Sequence, residues 1–235
     1  MLRIRNAAIF ASIAMLGSAA AQQPIENAEP YEYVLVSLST DGSREYTSVE
    51  KMEAFRGNFE NKQSLLQDDK ISISGAYEPG DGVVGFYVLH ESEPWVAIEL
   101  MESEPGCESG FLMLSACRMT ANVSLESLLQ SRRADEDVSN GAQDLESIDR
   151  LVPRYYMHAR TEYDEQRYQE ASKADGVLFV ARLHASGEDE SDEILLWLDA
   201  ENEEDARKVA EPLGGNWEFR KWFGSKRIQQ ILSRG

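Results

Sequence analysis

Apolar and polar positions along the chain predict strands and helices in the same order twice. The first series has strands over Tyr31–Ser39, Lys70–Tyr77, Val83–His90 and Gly110–Met119, and helices over Thr47–Gln67 and Glu93–Glu102. The second has strands over Leu151–Arg160, Gly176–Ala185, Glu193–Leu198 and Asn216–Phe223, and helices over Glu162–Lys173, Asn202–Glu211 and Lys226–Ser233. β-Branched and aromatic runs favour strands, whereas apolar positions at helical spacing, as from Val49 to Leu66, favour helices. Both series therefore read strand, helix, strand, strand, helix, strand.

A short repeated stretch supports this duplication. Leu89 and Leu198 each end a predicted strand, a polar turn opens a short helix, and Ala97 or Ala206 follows at the same distance. Both copies then contain Glu-Pro. Similarity at a fixed offset is typical of repeated structural units, so we expect two related units in one chain.

Several predicted strands are apolar on both faces, so both sides of each sheet must be covered. Helices cover one face of a βαββαβ unit, and the sheet of the other unit is a suitable cover for the second face. We therefore expect an α+β fold of two ferredoxin-like βαββαβ units in tandem. Their sheets would pack face to face as an intrachain dimeric-α/β-barrel-like pseudo-dimer, and the chain would be a monomer. The expected boundaries are 31–122 for the first unit, 123–150 for a charged connector and 151–235 for the second unit with its terminal helix.

The first residues resemble a secretory signal. Arg3 and Arg5 precede an apolar run that ends near Leu16, and small residues lead to Ala21. The run is shorter than the ~20 residues that span a membrane, which favours a cleaved signal peptide over the alternative of a retained anchor. We expect a signal peptide over residues 1–21, a flexible leader over 22–30, and a periplasmic or secreted protein without membrane contact after cleavage.

Charge and cysteine spacing restrict the expected partners. The formal net charge is −19 at pH 7, and so acidic a chain repels nucleic acids and anionic membranes. Cys107 and Cys117 are separated by a strand-like run, which favours two separate thiols over a disulfide. They form no CxxC pair with a nearby His, so no metal site is predicted. The sequence also lacks a phosphate loop, a Gly-rich dinucleotide motif and a nucleophile elbow, and no cofactor is predicted.

The first unit resembles the YCII-related (YciI-like) family of the dimeric α/β-barrel superfamily. The resemblance lies in the order of Tyr31–Ser39, Lys70–Gly75, Gly82–Leu89 and Glu104-Pro105, and in the second unit in Asp199–Ala210. It implies an acid/base pair in a barrel pocket, made by a His early in the first helix and the Asp of an Asp-Pro motif. Here the His position falls at or near Asn58, and the carboxylate is Glu104 or, in the second copy, Glu211. Neither first helix contains a His, so the resemblance implies a member without this pair.

Aromatic residues at strand positions are the candidate binding residues. Tyr33, Phe86, Tyr87, Tyr155 and Trp197 are the candidates to line a cavity between the two sheets, but aromatic residues at strand spacing usually fill the core, and this second interpretation is favoured. The favoured function is a non-catalytic binding or accessory module, whose partner is a small apolar or aromatic molecule or a protein.

Two other functions remain open. One is a lyase or isomerase that acts by proton transfer, with Glu104 as base and Asn58 or a tyrosine as polariser. The other is a purely structural interaction protein, because a fold alone does not fix a function. His90, His158 and His184 are expected to be satisfied sheet histidines rather than catalysts.

Overall fold

A computed structural model describes residues 30–40, 42, 45–80, 82–102, 105–130, 153–187 and 190–233. Within these residues the strands are β1 Tyr31–Thr40, β2 Ile71–Tyr77, β3 Val83–Leu89, β4 Leu112–Ala121, β5 Pro153–Glu162, β6 Val177–Leu183, β7 Glu193–Leu198 and β8 Glu218–Ser225. The helices are α1 Ser48–Gln67, α2 Pro94–Glu102, α3 Pro105–Glu108, α4 Glu165–Ala171, α5 Glu203–Ala210 and α6 Arg227–Leu232. A 3₁₀ turn covers Glu211–Leu213, and residues 126–130 are also helical. The predicted signal peptide, Glu104 and most of the predicted connector lie outside the described residues.

The strands close into one antiparallel barrel in the order β1-β3-β2-β8-β5-β7-β6-β4. The four strands before the connector are neighbours, and so are the four after it, in the same relative order. The halves meet at two seams. In the β2–β8 seam Ala76 and Tyr77 pair with β8, and in the β4–β6 seam residues Met119 to Ala121 pair with β6. The predicted closed barrel within one chain is thereby confirmed.

The strands bury side chains on both faces. The interior of the barrel is filled by a buried cluster that includes Phe86, Trp197 and Trp222. Outside it, one cluster lies between the first-half strands and α1 and α2, and another lies between the second-half strands and α4 and α5. Burial on both faces explains why these strands read as continuous apolar runs.

Helix α1 begins at a capping box. The Thr47 hydroxyl accepts from the Glu50 amide at 3.2 Å, and the Glu50 carboxylate accepts from the Thr47 amide at 2.7 Å. These bonds satisfy amides that lack partners within the helix. Gly57 faces α3, where a Cβ would lie 2.6 Å from the ring of Pro105. The glycine therefore permits the close approach of the two helices.

Several apolar side chains of the helices are exposed, so the expected apolar face of α1 needs correction. Val49 and Met52, which the spacing placed on an apolar helix face, are 58% and 67% exposed, whereas Ala54 and Leu65 are buried. The small-residue face of α1 packs inward because α3 lies against it. On α2, Trp95 is 65% exposed, whereas Met101 is buried.

The same tyrosine contact occurs in both halves. The Leu125 amide donates to the Tyr33 hydroxyl at 2.8 Å, and the Gln229 amide donates to the Tyr156 hydroxyl at 3.3 Å. Each tyrosine lies on the first strand of its half and binds the segment that follows the last strand. Leu128 of the first such segment is buried in the barrel core, so this part of the predicted connector contributes to the fold.

Candidate functional site

Aromatic rings surround a histidine at the centre of the barrel. His158 on β5 is 2% exposed. Its ring centroid lies 4.1 Å from that of Trp197, 5.0 Å from Phe86 and 5.1 Å from Trp222. The interior at this level is packed rather than open. These aromatic residues therefore fill the core and do not line a cavity between the two sheets.

The environment of His158 favours a neutral imidazole. Burial, together with the positive charge of Arg220, holds the pKa of His158 well below its ordinary value. The Nδ1 atom lies 3.1 Å from the Tyr77 hydroxyl. The buried Nε2 atom has no hydrogen-bond partner among the described residues. The expectation that His158 makes its hydrogen bonds within the sheet is therefore met at Nδ1 only. A neutral, enclosed ring of this kind is suited to packing and not to exchanging protons with a substrate.

The five candidate binding residues do not line one cavity. Tyr33, Phe86 and Trp197 belong to the barrel core, with 5.2 Å between the ring centroids of Phe86 and Trp197. Tyr87 lies on the opposite face of β3, under α1, and Tyr155 is 41% exposed. Consecutive strand residues point to opposite faces, so Phe86 and Tyr87 cannot both face the interior.

Of the two residues that the family resemblance singled out, the structure describes Asn58 but not Glu104. Asn58 lies on α1, where its side-chain oxygen accepts from the Tyr87 hydroxyl at 3.0 Å. Glu104 lies outside the described residues, and its role as a base stays a prediction. Its counterpart in the second copy, Glu211, accepts from Arg207 Nη1 at 3.0 Å and is largely exposed. This surface ion pair is typical of a helix end rather than of a catalytic carboxylate.

Asn58 and Tyr87 both line a cleft beside the β2–β8 seam, here called the α1–β8 cleft. It encloses about 380 Å³ between α1, the strands β2 and β3, and β8. Its lining includes the aromatic residues Phe55, Phe86, Tyr87 and Phe223, and the polar residues Asn58, Lys62, Ser74 and Ser225. Three of the residues singled out from the sequence, Asn58, Phe86 and Tyr87, therefore contribute to the lining of this cleft, although the Phe86 side chain is fully buried and packs in the barrel core.

Glycines allow the strands to approach closely at the floor of the cleft. A Cβ at Gly75 would lie 2.5 Å from the ring of Phe86 and 2.6 Å from that of Trp222. A Cβ at Gly85 would lie 2.8 Å from the carbonyl oxygen of Gly75. A side chain at either position would displace the aromatic core or the paired strand.

Lys62 is the functional candidate that the sequence reasoning missed. It follows Asn58 by one helical turn on α1, so the two side chains share a face. Lys62 is half-buried, and this burial lowers the pKa of its ammonium group. A partly desolvated ammonium favours an anionic partner, because such a partner replaces the lost hydration. The signal available in the sequence was the spacing of Phe55, Asn58 and Lys62 along one side of the helix.

Other chemistry-bearing groups do not gather at this cleft. Among the described residues, no three His, Cys, Asp or Glu side chains cluster as ligands for a metal ion. Cys107 and Cys117 are not joined in a disulfide, and burial raises the pKa of Cys117 to about 11, which keeps it protonated at neutral pH. No helix in the described part of the chain is long and apolar enough to cross a membrane.

Comparison with known proteins gives few matches. No protein-family model and no curated protein sequence matches the chain. A candidate chlorite dismutase of known structure is 11% identical over 86% of this chain and 97% of its own, with a TM-score of 0.49. The siroheme decarboxylase NirDL in complex with an iron-uroporphyrin III analogue is 12% identical over 86% and 77% of the two chains, with a TM-score of 0.41. A second NirDL structure is 11% identical over 86% and 78%, with a TM-score of 0.42. Similarity at this level assigns neither a family nor a function, and the barrel is established by its own strand pairing.

Proposed function

We propose that the chain is a binding module for a small aromatic molecule that carries an acidic group, bound in the α1–β8 cleft. The observation that carries this proposal is the placement of Asn58, Lys62 and Tyr87 in a cleft that is also lined by the rings of Phe55 and Phe223. Its volume of about 380 Å³ lies within the ~300–1,000 Å³ that is usual for small-molecule sites.

The aromatic walls supply the apolar part of the affinity. Phe55 is 49% exposed and Phe223 is 42% exposed, and both rings line the cleft. A planar ligand removes this surface from water, and each 100 Å² of apolar area buried contributes about 2.5 kcal/mol. Offset or edge-to-face contacts with the rings favour an aromatic ligand over an aliphatic one.

The polar residues select the acidic group. A ligand carboxylate in the cleft lies within reach of a charge-assisted contact with the Lys62 ammonium, and the Asn58 amide lies on the same helix face. The net charge of −19 opposes an anion at long range. This repulsion is screened beyond about 10 Å at 0.1 M salt, whereas a partly buried contact is screened much less. The short-range contact with Lys62 therefore decides binding at ordinary salt concentrations.

The test is calorimetric titration with 2-naphthoate and its neutral analogue 2-naphthamide. A charge-assisted hydrogen bond contributes about 1.5–3 kcal/mol, so Lys62→Met should weaken naphthoate binding by about 10- to 100-fold. The same variant should change naphthamide binding by less than about three-fold, because the aromatic walls remain. Lys51→Met, on the same helix but outside the cleft lining, is the matched control. Unchanged naphthoate affinity in Lys62→Met would refute the proposal.

The architecture and location of the chain are part of the same proposal. We infer a tandem pair of ferredoxin-like, YciI-like units without the His–Asp pair, and the shared strand order and the Tyr33 and Tyr156 contacts support it. The chain is proposed to be exported as a monomer after cleavage behind Ala21. N-terminal sequencing of the exported protein and light scattering test these two points, and a retained signal peptide or a dimer would contradict them.

Proton transfer with Glu104 as base is the alternative proposal. It predicts that Glu104→Gln abolishes turnover of a ligand that still binds. A ligand that binds the wild-type chain without being turned over would exclude this alternative and leave the binding function in place.

A further inference from the structure

A second cleft lies beside the other seam, where β4 pairs with β6. This Trp95 cleft encloses about 560 Å³ between α2, β4 and the segment that follows β6. Its apolar lining includes Pro94, Trp95 and Met119, and its polar lining includes Arg118, Thr120 and His184. The cleft is larger than the α1–β8 cleft and is separate from it in the fold.

Three side chains of this region form a row in space, and each lies at or near hydrogen-bonding distance from the next. The Thr120 hydroxyl oxygen is 3.3 Å from His184 Nε2, and His184 Nδ1 is 3.5 Å from an Asp192 carboxylate oxygen. Seam pairing explains the first contact, because Thr120 pairs with Arg182 and the His184 amide donates to the Arg118 carbonyl at 2.9 Å. The second contact arises because Asp192 immediately precedes β7 and so lies across the β6–β7 connection from His184.

Asp192 is itself held in place. Its carboxylate accepts from the Ala185 amide at 2.9 Å and from Arg182 Nε at 2.6 Å. These two bonds hold the pKa of Asp192 below its ordinary value, so the group is ionised at neutral pH. A carboxylate beside Nδ1 favours the tautomer that carries its proton there, which leaves the Nε2 lone pair facing the Thr120 hydroxyl. A hydroxyl, a base and an orienting acid in this order are the arrangement that activates a nucleophile.

We propose that the Trp95 cleft is an acyl-transfer site for small aryl esters, with Thr120 as nucleophile, His184 as general base and Asp192 as positioning residue. The cleft gives a substrate access to the threonine hydroxyl. Trp95, 65% exposed, offers an aromatic surface for the aryl group. Arg118 precedes Thr120 by two residues, so both lie on the same face of β4, where the guanidinium can donate to the carbonyl oxygen. Glu93 accepts from Arg118 Nη2 at 2.6 Å, and a guanidinium has further N–H donors.

The reaction balances without an oxidant or a reductant. The Thr120 oxygen forms a bond to the ester carbonyl carbon as its proton passes to His184 Nε2, and the carbonyl electron pair moves to oxygen. When the pair returns, the bond to the aryl oxygen breaks and the departing phenol takes the proton from His184. Water, activated by the same imidazole, then hydrolyses the acyl-threonine. The sum is ester plus water to carboxylic acid plus phenol.

The probe is p-nitrophenyl acetate, mixed with the full chain. The expected result is release of nitrophenolate together with an acetyl group that peptide mass spectrometry locates on Thr120. Thr120→Val should remove that adduct, and Thr120→Ser, which keeps a hydroxyl, should retain it. His184→Gln should slow acetylation by about 100-fold or more, because a general base contributes ~10²- to 10⁴-fold. Thr40→Val, on β1 and outside the cleft lining, is the control and should react at the wild-type rate.

A separate measurement distinguishes whether Asp192 orients His184 for catalysis or only stabilises the β6–β7 connection. Asp192→Asn should lower the acetylation rate constant by about 10²-fold or more while KM changes by less than about two-fold. A rise in KM and a lower unfolding temperature with an unchanged rate constant would show that Asp192 is structural. Absence of both nitrophenolate release and acetyl-Thr120 in the wild-type chain, or equal rates of nitrophenolate release in wild type and Thr120→Val, would overturn the proposal. An unfolding temperature of Thr120→Val equal to that of the wild-type chain shows that its loss of the adduct is not a folding defect.

Discussion

The buried histidine of the barrel gives a quantitative prediction about stability and pH. In the folded chain burial, followed by the charge of Arg220, holds the pKa of His158 well below its ordinary value. In the unfolded chain the pKa returns to about 6.5, so unfolding takes up a proton below that pH. The stability due to neutral His158 is therefore complete above about pH 6.5 and is lost as the pH falls toward the folded-state pKa. One proton corresponds to about 1.4 kcal/mol per pH unit, which gives a loss of roughly 1.4 kcal/mol between about pH 7.5 and pH 5.5.

His158→Phe is the perturbation that isolates this effect. The free energy of unfolding is measured from urea titrations at about pH 7.5, 6.5 and 5.5, a range above that in which carboxylates titrate. The wild-type chain should lose roughly 1.4 kcal/mol more than His158→Phe across this range. Only the pH dependence is compared, because the variant also loses the contact with Tyr77. Equal slopes in wild type and His158→Phe would refute the buried, neutral assignment of His158.

Three further stability predictions follow from contacts in the barrel, each measured by urea unfolding. Gly75→Ala should lower the free energy of unfolding by about 1–3 kcal/mol, because its Cβ would overlap the ring of Phe86; Gly80→Ala, where a Cβ has space, should change it by less than about 0.5 kcal/mol. Leu128→Ala should lower it by about 2–5 kcal/mol if this segment is part of the core, and a loss below about 0.5 kcal/mol would show that the segment is only a connector. Tyr156→Phe should lower it by about 1 kcal/mol, because the hydroxyl donates to Ser225 and accepts from α6, and an unchanged stability would mean that neither bond is made in solution.

The sequence contains enough information to predict the barrel. Strands that are apolar on both faces require cover on both sides, and the strand Glu193–Leu198 was predicted with the bounds that the structure shows. The alternation along β3 also shows that Phe86 and Tyr87 face opposite sides, although their aromatic character alone groups them as one candidate site. The exposed Val49 and Met52 could not be foreseen from spacing, because the packing of α3 against Gly57 selects the other side of α1.

The candidate sites depend on contacts between residues that are distant in the sequence. The α1–β8 cleft forms only where Lys62 of the first half approaches Phe223 of the second, across the β2–β8 seam. Thr120 and His184 likewise meet through the register of the β4–β6 seam. Local spacing gives no such register, because it is set by how the two halves close the barrel. The sequence therefore indicated the type of fold and several of the residues, but not which of them converge.

The proposed binding function is tested most directly by locating a bound ligand. Intermolecular nuclear Overhauser effects are recorded between the aromatic protons of 2-naphthoate and the side chains of the isotopically labelled chain. The account predicts contacts with the rings of Phe55, Tyr87 and Phe223, and their loss in Lys62→Met at the same ligand concentration. Contacts confined to Trp95, or none at saturating ligand, would contradict it.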